Sequence, residues 1–158
     1  MTLGANIGAD PEGMPESDLV LLWGTNTLTS NPHLWPFVRE ARARGARIIA
    51  IDPLRTRTAD QCDEWIPIKP GTDAALALGI MHVLFAENLE DNDYLERFTL
   101  GAPELRARAA EYSPERVAAI TGIPAERIVE LAREYGRAKV VGASEEGESV
   151  WVKQSGQP

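Results

Sequence analysis

Two short apolar runs, Asp18-Leu-Val-Leu-Leu-Trp23 and Ala46-Arg-Ile-Ile-Ala-Ile51, flank a segment long enough for one helix. Apolar runs of this length without alternation predict strands buried on both faces. Between them, Asn31-Pro32 predicts an N-cap and first turn for a helix running to about Arg44, with Gly45 as its stop. Strand, helix and strand in that order are the pattern of a parallel α/β sheet.

The rest of the chain extends the pattern and then leaves it. A polar loop over 52–63 leads to a third short strand over 64–68. Pro70-Gly71-Thr72-Asp73 opens a strongly apolar helix to about Glu87. Four short helices are predicted after it, over 91–98, 103–111, 114–120 and 124–135. Ser113-Pro114-Glu115 supplies a cap, a first-turn proline and an acid favoured by the helix dipole. Gly136 is expected to end the last helix, and 139–142 reads as one more strand. Residues 1–16, rich in Gly and Pro, read as an irregular lead-in. The expected fold is α/β, a Rossmann-like three-layer domain with a parallel sheet and a helical second half. That domain occupies 1–142, and 143–158 form a polar, unpatterned tail.

Charge and cysteine content narrow the function. With 24 acidic against 16 basic residues the net charge is -8, which argues against nucleic-acid or anionic-membrane partners, since both require a basic face. No apolar run approaches the roughly 20 residues of a membrane span. Residues 1–16 lack the charged and apolar regions of a signal peptide. A single cysteine, Cys62, excludes an internal disulfide and a cysteine-built zinc or iron–sulfur site within this chain. No acid–base pair or nucleophile constellation emerges, so no catalytic residue and no metal ligand is assigned.

Ligands of open parallel sheets bind beyond the carboxyl ends of the strands, and three loops are expected to leave strands at that edge. The first is Trp23-Gly24-Thr25-Asn26: a glycine permitting close backbone approach, then two short hydrogen-bonding side chains. It lacks the glycine-rich fingerprint of NAD and FAD sites, and by itself reads more readily as a tight strand–helix turn. The second runs from Asp52-Pro53 through Arg55 and Thr56 to Arg57 and Thr58. Asp52 offers a carboxylate for two vicinal hydroxyls or for the N1 and N2 donors of guanine, and Arg55 and Arg57 offer forked cations to a pyrophosphate. An Asx-Pro turn with solvated arginines is the alternative. The third, Pro70-Gly71-Thr72-Asp73, sets helix N–H groups outward as an anion or base-edge site, with Asp73 alternatively a dipole-stabilising acid. Three such loops at one edge point together to a nucleotide site.

The residues also carry a family resemblance. Asp18-Leu-Val-Leu-Leu-Trp-Gly-Thr-Asn26 resembles the strand and W-G-x-N turn of the molybdopterin oxidoreductases, the group of dimethyl sulfoxide reductases, formate dehydrogenases and nitrate reductases. The stretch from Glu40 to Asp52-Pro53 is similar to that family's helix–Gly–strand running into I-D-P-R. Thr56-Arg57-Thr58-Ala59 resembles its T-x-T-A, and the stretch from Asp63 to Pro70-Gly71-Thr72-Asp73 its A-D-x-W-[LI]-P-I-R-P-G-T-D. Tyr112-Ser113-Pro114-Glu115 and Thr121-Gly122-Ile123-Pro124 are similar to its Y-T-P-E and T-G-I-P. The resemblance covers roughly 1–140. Departures are Leu54 for Arg, Thr27 for Pro, Asn31 for His and Cys62 for Ala.

The resemblance implies a segment that holds one of two molybdopterin guanine dinucleotides, with molybdenum or tungsten in the parent enzyme. Residues 23–30 would line the pyrophosphate and nucleoside, 52–56 the ribose and guanine, and 71–73 the guanine edge. A [4Fe–4S] cluster is implied in the parent but not in this chain, and the chain alone is expected to be inactive. The implied partners are the remaining domains of its own catalytic subunit and an iron–sulfur electron-transfer subunit. An alternative of another class is a non-catalytic domain of this fold in a larger electron-transfer subunit of the complex I type. Retention of the three loops weighs against it, since a relic need not keep guanine-reading residues.

Overall fold

A computed structural model describes residues 10–138, which fall into two compact units, one within 10–65 together with Ala138 and one over 66–137. In the first unit Asp10 accepts a hydrogen bond from the Glu12 N–H and opens a 3-10 turn over Pro11–Glu16. The described end of the lead-in, expected to be irregular, is thus a regular 3-10 turn, because an Asx cap followed by proline preorganises a turn. Strand β1 is Leu19–Trp23, strand β2 is Arg47–Ile51 and strand β3 is Glu64–Ile66, in the sheet order β1-β2-β3. β1 and β2 are parallel, with Leu19 opposite Arg47 and Trp23 opposite Ile51. The class is α/β, as the strand–helix–strand spacing implies.

β2, the middle strand, is buried from Ile48 to Ile51. β1 alternates buried and half-buried positions instead of being covered throughout. Between them a single turn of helix, α1 (Thr27–Ser30), precedes α2 (Trp35–Ala43). The expected start, with Asn31 as cap and Pro32 in the first turn, is three residues early, since the cap is Leu34. Asn31 closes α1, its N–H donating to the Thr27 carbonyl, and Pro36 is the proline in the first turn of α2. Val38 and Ala41 of α2 pack with Val20, Leu22, Ala46 and Ile48, and Met14, Trp35 and Cys62 close the edges of this core.

The second unit is helical: α3 (Asp73–Ala86), α4 (Asn92–Phe98), α5 (Ala102–Ala110), α6 (Pro114–Thr121) and α7 (Ala125–Arg137). α3 packs against α5, α6 and α7, which explains a helix apolar on nearly every face. The expected cap at Ser113 is present, its hydroxyl accepting from the Arg116 N–H. Thr121-Gly122-Ile123-Pro124 proves to be a helix stop: the Thr121 hydroxyl donates to the Val117 carbonyl at 2.8 Å and accepts from the Ile123 N–H at 3.2 Å. Gly136 does not end α7, which runs on to Arg137. It is a packing residue, since a Cβ there would lie 2.8 Å from Leu84 Cδ2 and 2.9 Å from Leu89 Cβ. The expected strand over 139–142 and the tail over 143–158 lie outside the described residues.

Candidate functional site

The parallel pairing of β1 with β2 fixes where their loops emerge. Trp23 and Ile51 are register partners and the last residues of their strands, so Gly24 and Asp52 leave the sheet side by side at its carboxyl edge. The Gly24 N–H extends the ladder by donating to the Ile51 carbonyl at 2.9 Å. Gly24 has a φ of +60°, and the place a Cβ would take has nothing within 4 Å. This is a left-handed turn with an open flank, where backbone can meet a ligand. Thr25 and Thr27 share a hydroxyl–hydroxyl hydrogen bond of 3.2 Å, and the Asn26 carbonyl accepts from Thr29 and Ser30 N–H, both at 2.9 Å.

The loop after β2 is held by its own side chains. Asp52 Oδ1 accepts from the Leu54 N–H at 2.8 Å, which is the Asx turn of the alternative reading of this loop. The Asp52 carbonyl accepts from the Trp65 indole Nε1–H at 2.8 Å. Arg55 donates from Nε to Asp60 Oδ1 at 2.8 Å, with its guanidinium 5.8 Å from the Trp65 ring centroid. Thr56 accepts the Ala59 N–H on its hydroxyl at 3.2 Å and the Asp60 N–H on its carbonyl at 3.0 Å. Pro53, Leu54 and Arg55 are exposed. Leu54, where the resemblance calls for arginine, is 71% exposed, so an arginine there would have met no steric bar.

Two residues outside the expected set organise both loops. Thr58, fully buried, bonds Asn26 of the first loop and Leu28 of α1 just after it, and Trp65 bonds the second loop. Both fall inside stretches that carry the family resemblance, which was the available signal. The Cys62 thiol donates to the Thr58 carbonyl at 3.2 Å. Burial, then the Asp63 carboxylate, push its pKa up to about 11, partly offset by Arg42. A thiol so protonated is a poor nucleophile at neutral pH. Among the described residues no group of three His, Cys, Asp or Glu side chains is placed to hold a metal ion. No helix of the described residues is long and apolar enough to cross a membrane.

The third loop belongs to the second unit. Gly71 has a φ of +78° with open space where a Cβ would go. Thr72 flanks the start of α3, and its hydroxyl donates to the Lys69 carbonyl at 2.7 Å instead of capping the helix. Its carbonyl accepts from Ala75 and Leu76 N–H, and Asp73, exposed, is the first residue of the 14-residue α3. Pro70 precedes the turn and is likewise exposed.

An α/β chain with short polar loops side by side at the carboxyl edge of a parallel sheet is the architecture of the Rossmann-like proteins. The family model for molybdopterin oxidoreductase matches residues 4–145. This chain belongs to the molybdopterin oxidoreductase family. It is 46% identical over 135 residues to "Probable oxidoreductase YoaE" of Bacillus subtilis, covering 85% of this chain and 20% of the relative. It is 38% identical over 156 residues to the dimethyl sulfoxide reductase DmsA of Escherichia coli, with 84% and 19% covered. Among solved structures it is similar to the acetylene hydratase of Pelobacter acetylenicus, with a TM-score of 0.65, 34% identity, and 80% of this chain and 17% of that one covered. The chain thus spans about a fifth of the length of the curated relatives it matches.

Proposed function

We propose that this chain is the part of a molybdenum or tungsten oxidoreductase catalytic subunit that holds one guanine dinucleotide of a molybdopterin cofactor. The observation that carries the reading is the adjacency of Gly24 and Asp52 at the carboxyl edge of β1 and β2. The residues fit the group. Gly24 leaves an open flank for backbone contact, Asp52 has one carboxylate oxygen committed to its own turn, and Arg55 is held beside it by Asp60 and Trp65. Trp23, Thr25, Asn26, Pro53 and Thr56 complete these two loops as contacts to pyrophosphate and nucleoside. Taken by itself, the second unit offers at Pro70, Gly71, Thr72 and Asp73 a helix start and a carboxylate suited to the N1 and N2 donors of guanine, the role that the family resemblance implies for them.

The cofactor, when bound, supplies the redox chemistry, while these residues bind and orient it. Relatives named for dimethyl sulfoxide reduction and for acetylene hydration match this same segment. A segment shared across such different reactions is best read as serving the common cofactor, with substrate choice made elsewhere. Residues 1–142 form the binding domain, and the chain by itself carries out no reductase reaction. The remaining domains of the subunit, and an iron–sulfur electron-transfer subunit, are its partners; a [4Fe–4S] cluster would be held outside this chain.

The test is to titrate the full chain with guanosine 5′-diphosphate while following its backbone amides by NMR. The expected result is shifts concentrated at 23–26, 52–56 and 70–73, weaker with adenosine 5′-diphosphate. Shifts confined to other residues would refute the assignment.

A further inference from the structure

Thr58 is a fully buried polar side chain, and its hydroxyl works in two directions. It accepts from the Leu28 N–H at 3.0 Å and donates to Asn26 Oδ1 at 2.7 Å. One side chain therefore ties the loop after β2 to the loop after β1. The Thr58 carbonyl in turn accepts from the Gln61 N–H and the Cys62 thiol, which fixes the backbone that carries the hydroxyl.

The chemistry of the group sets the orientation of Asn26. A hydroxyl has one proton, and with Leu28 already donating to its oxygen that proton requires an acceptor. Asn26 Oδ1 is the acceptor. The opposite amide orientation would turn Nδ2–H2 toward the hydroxyl and strand a buried proton, which is costly. No described residue accepts from Asn26 Nδ2. We infer that Thr58 is a positioning residue that locks the two ligand loops together and turns Asn26 so that its carboxamide meets a ligand as a donor. The first loop then selects an acceptor oxygen, of the kind a phosphate or carbonyl offers. The second loop, through the remaining oxygen of Asp52, selects a donor. This inference rests on the nucleotide reading above.

The test compares guanosine 5′-diphosphate affinity, by calorimetry, for the full chain and its Thr58→Ser, Thr58→Val and Asn26→Asp variants, with a thermal melt of each. Thr58→Ser keeps the hydroxyl and is expected to bind within about twofold of the wild type, whereas Thr58→Val is expected to bind about tenfold or more weakly. Asn26→Asp keeps the acceptor for Thr58 and removes the donors. It is expected to melt like the wild type and to lose as much affinity, so the inference stays testable if Thr58→Val fails to fold. The Asn26 side-chain amide protons of the wild type are expected to shift on adding the nucleotide. Wild-type affinity in folded Thr58→Val or in Asn26→Asp, or equal weakness of Thr58→Ser and Thr58→Val, would overturn the role of Thr58. A wild-type chain that binds no guanosine 5′-diphosphate would instead overturn the nucleotide reading beneath it.

Discussion

The indole of Trp65 reaches back to the first residue after β2: its Nε1–H donates to the Asp52 carbonyl at 2.8 Å while its ring lies under Arg55. The loop between these residues is thus pinned at Asp52 by a hydrogen bond and at Arg55 by a cation over an aromatic face. Trp65→Phe keeps much of the apolar body and removes the donor, leaving a carbonyl to water or to nothing. The expected cost is about 1–2 kcal/mol in stability, from the lost hydrogen bond and the weaker cation–π contact. Denaturant unfolding measures it. A change within error would mean that the loop holds its shape without Trp65.

Gly79, in the middle of α3, sets the distance between α3 and α6. A Cβ at this position would lie 2.9 Å from Val117 Cγ2 and 3.2 Å from Val117 Cβ. Glycine to alanine in a helix interior ordinarily stabilises by about 0.5–1 kcal/mol. Here the branched Val117 is itself fully buried and cannot swing aside, so overpacking reverses the sign. Gly79→Ala is expected to destabilise by about 1–3 kcal/mol, and the double variant with Val117→Ala to regain part of the loss. A higher melting temperature in Gly79→Ala would contradict the packing described.

Cys62 gives a pH test. Its folded-state pKa is raised from 9.0 to about 11, first by burial and then by Asp63. The native chain holds a proton that the unfolded chain releases. The group's contribution to stability is therefore complete below pH 9.0 and declines as the pH climbs from there toward 11. Thiolate absorbance in the folded chain is expected to reach half its final value near pH 11. A midpoint near 9.0 would place the thiol in water.

The strands, the order of the helices and the two loops of the first unit were legible because period, punctuation and cap chemistry are local signals. β2 reads as buried from Ile48-Ile-Ala-Ile51 alone, and Ser113-Pro114 marks the start of α6 before any fold is known. What was not legible depended on residues far apart in the chain. Gly136 reads locally as a helix stop, yet Leu84 and Leu89 require glycine there while α7 continues. Asn31-Pro32 has good cap chemistry but lost to the turn at Thr27–Ser30 and to Pro36. Thr58 has no periodic signature, and its importance arises only when the chain brings Asn26 and Leu28 to it.

Asp73 carries the account's central claim, since it is the carboxylate assigned to the guanine edge, exposed in the first turn of α3. Replacing it by asparagine exchanges an acceptor for a donor, setting donor against donor at guanine N1 and N2. That mismatch is worth about 1–3 kcal/mol, whereas loss of a first-turn acid alone is worth about 0.3–1 kcal/mol. The measurement is the guanine nucleotide released on hydrolysis of the intact protein that contains this sequence, counted per polypeptide in wild type and in Asp73→Asn. The expected result is guanine nucleotide in the wild type and clearly less in Asp73→Asn, with little change in melting temperature once nucleotide content is matched. A wild type free of guanine nucleotide, or a variant with undiminished content, would contradict the claim that this chain holds a guanine dinucleotide.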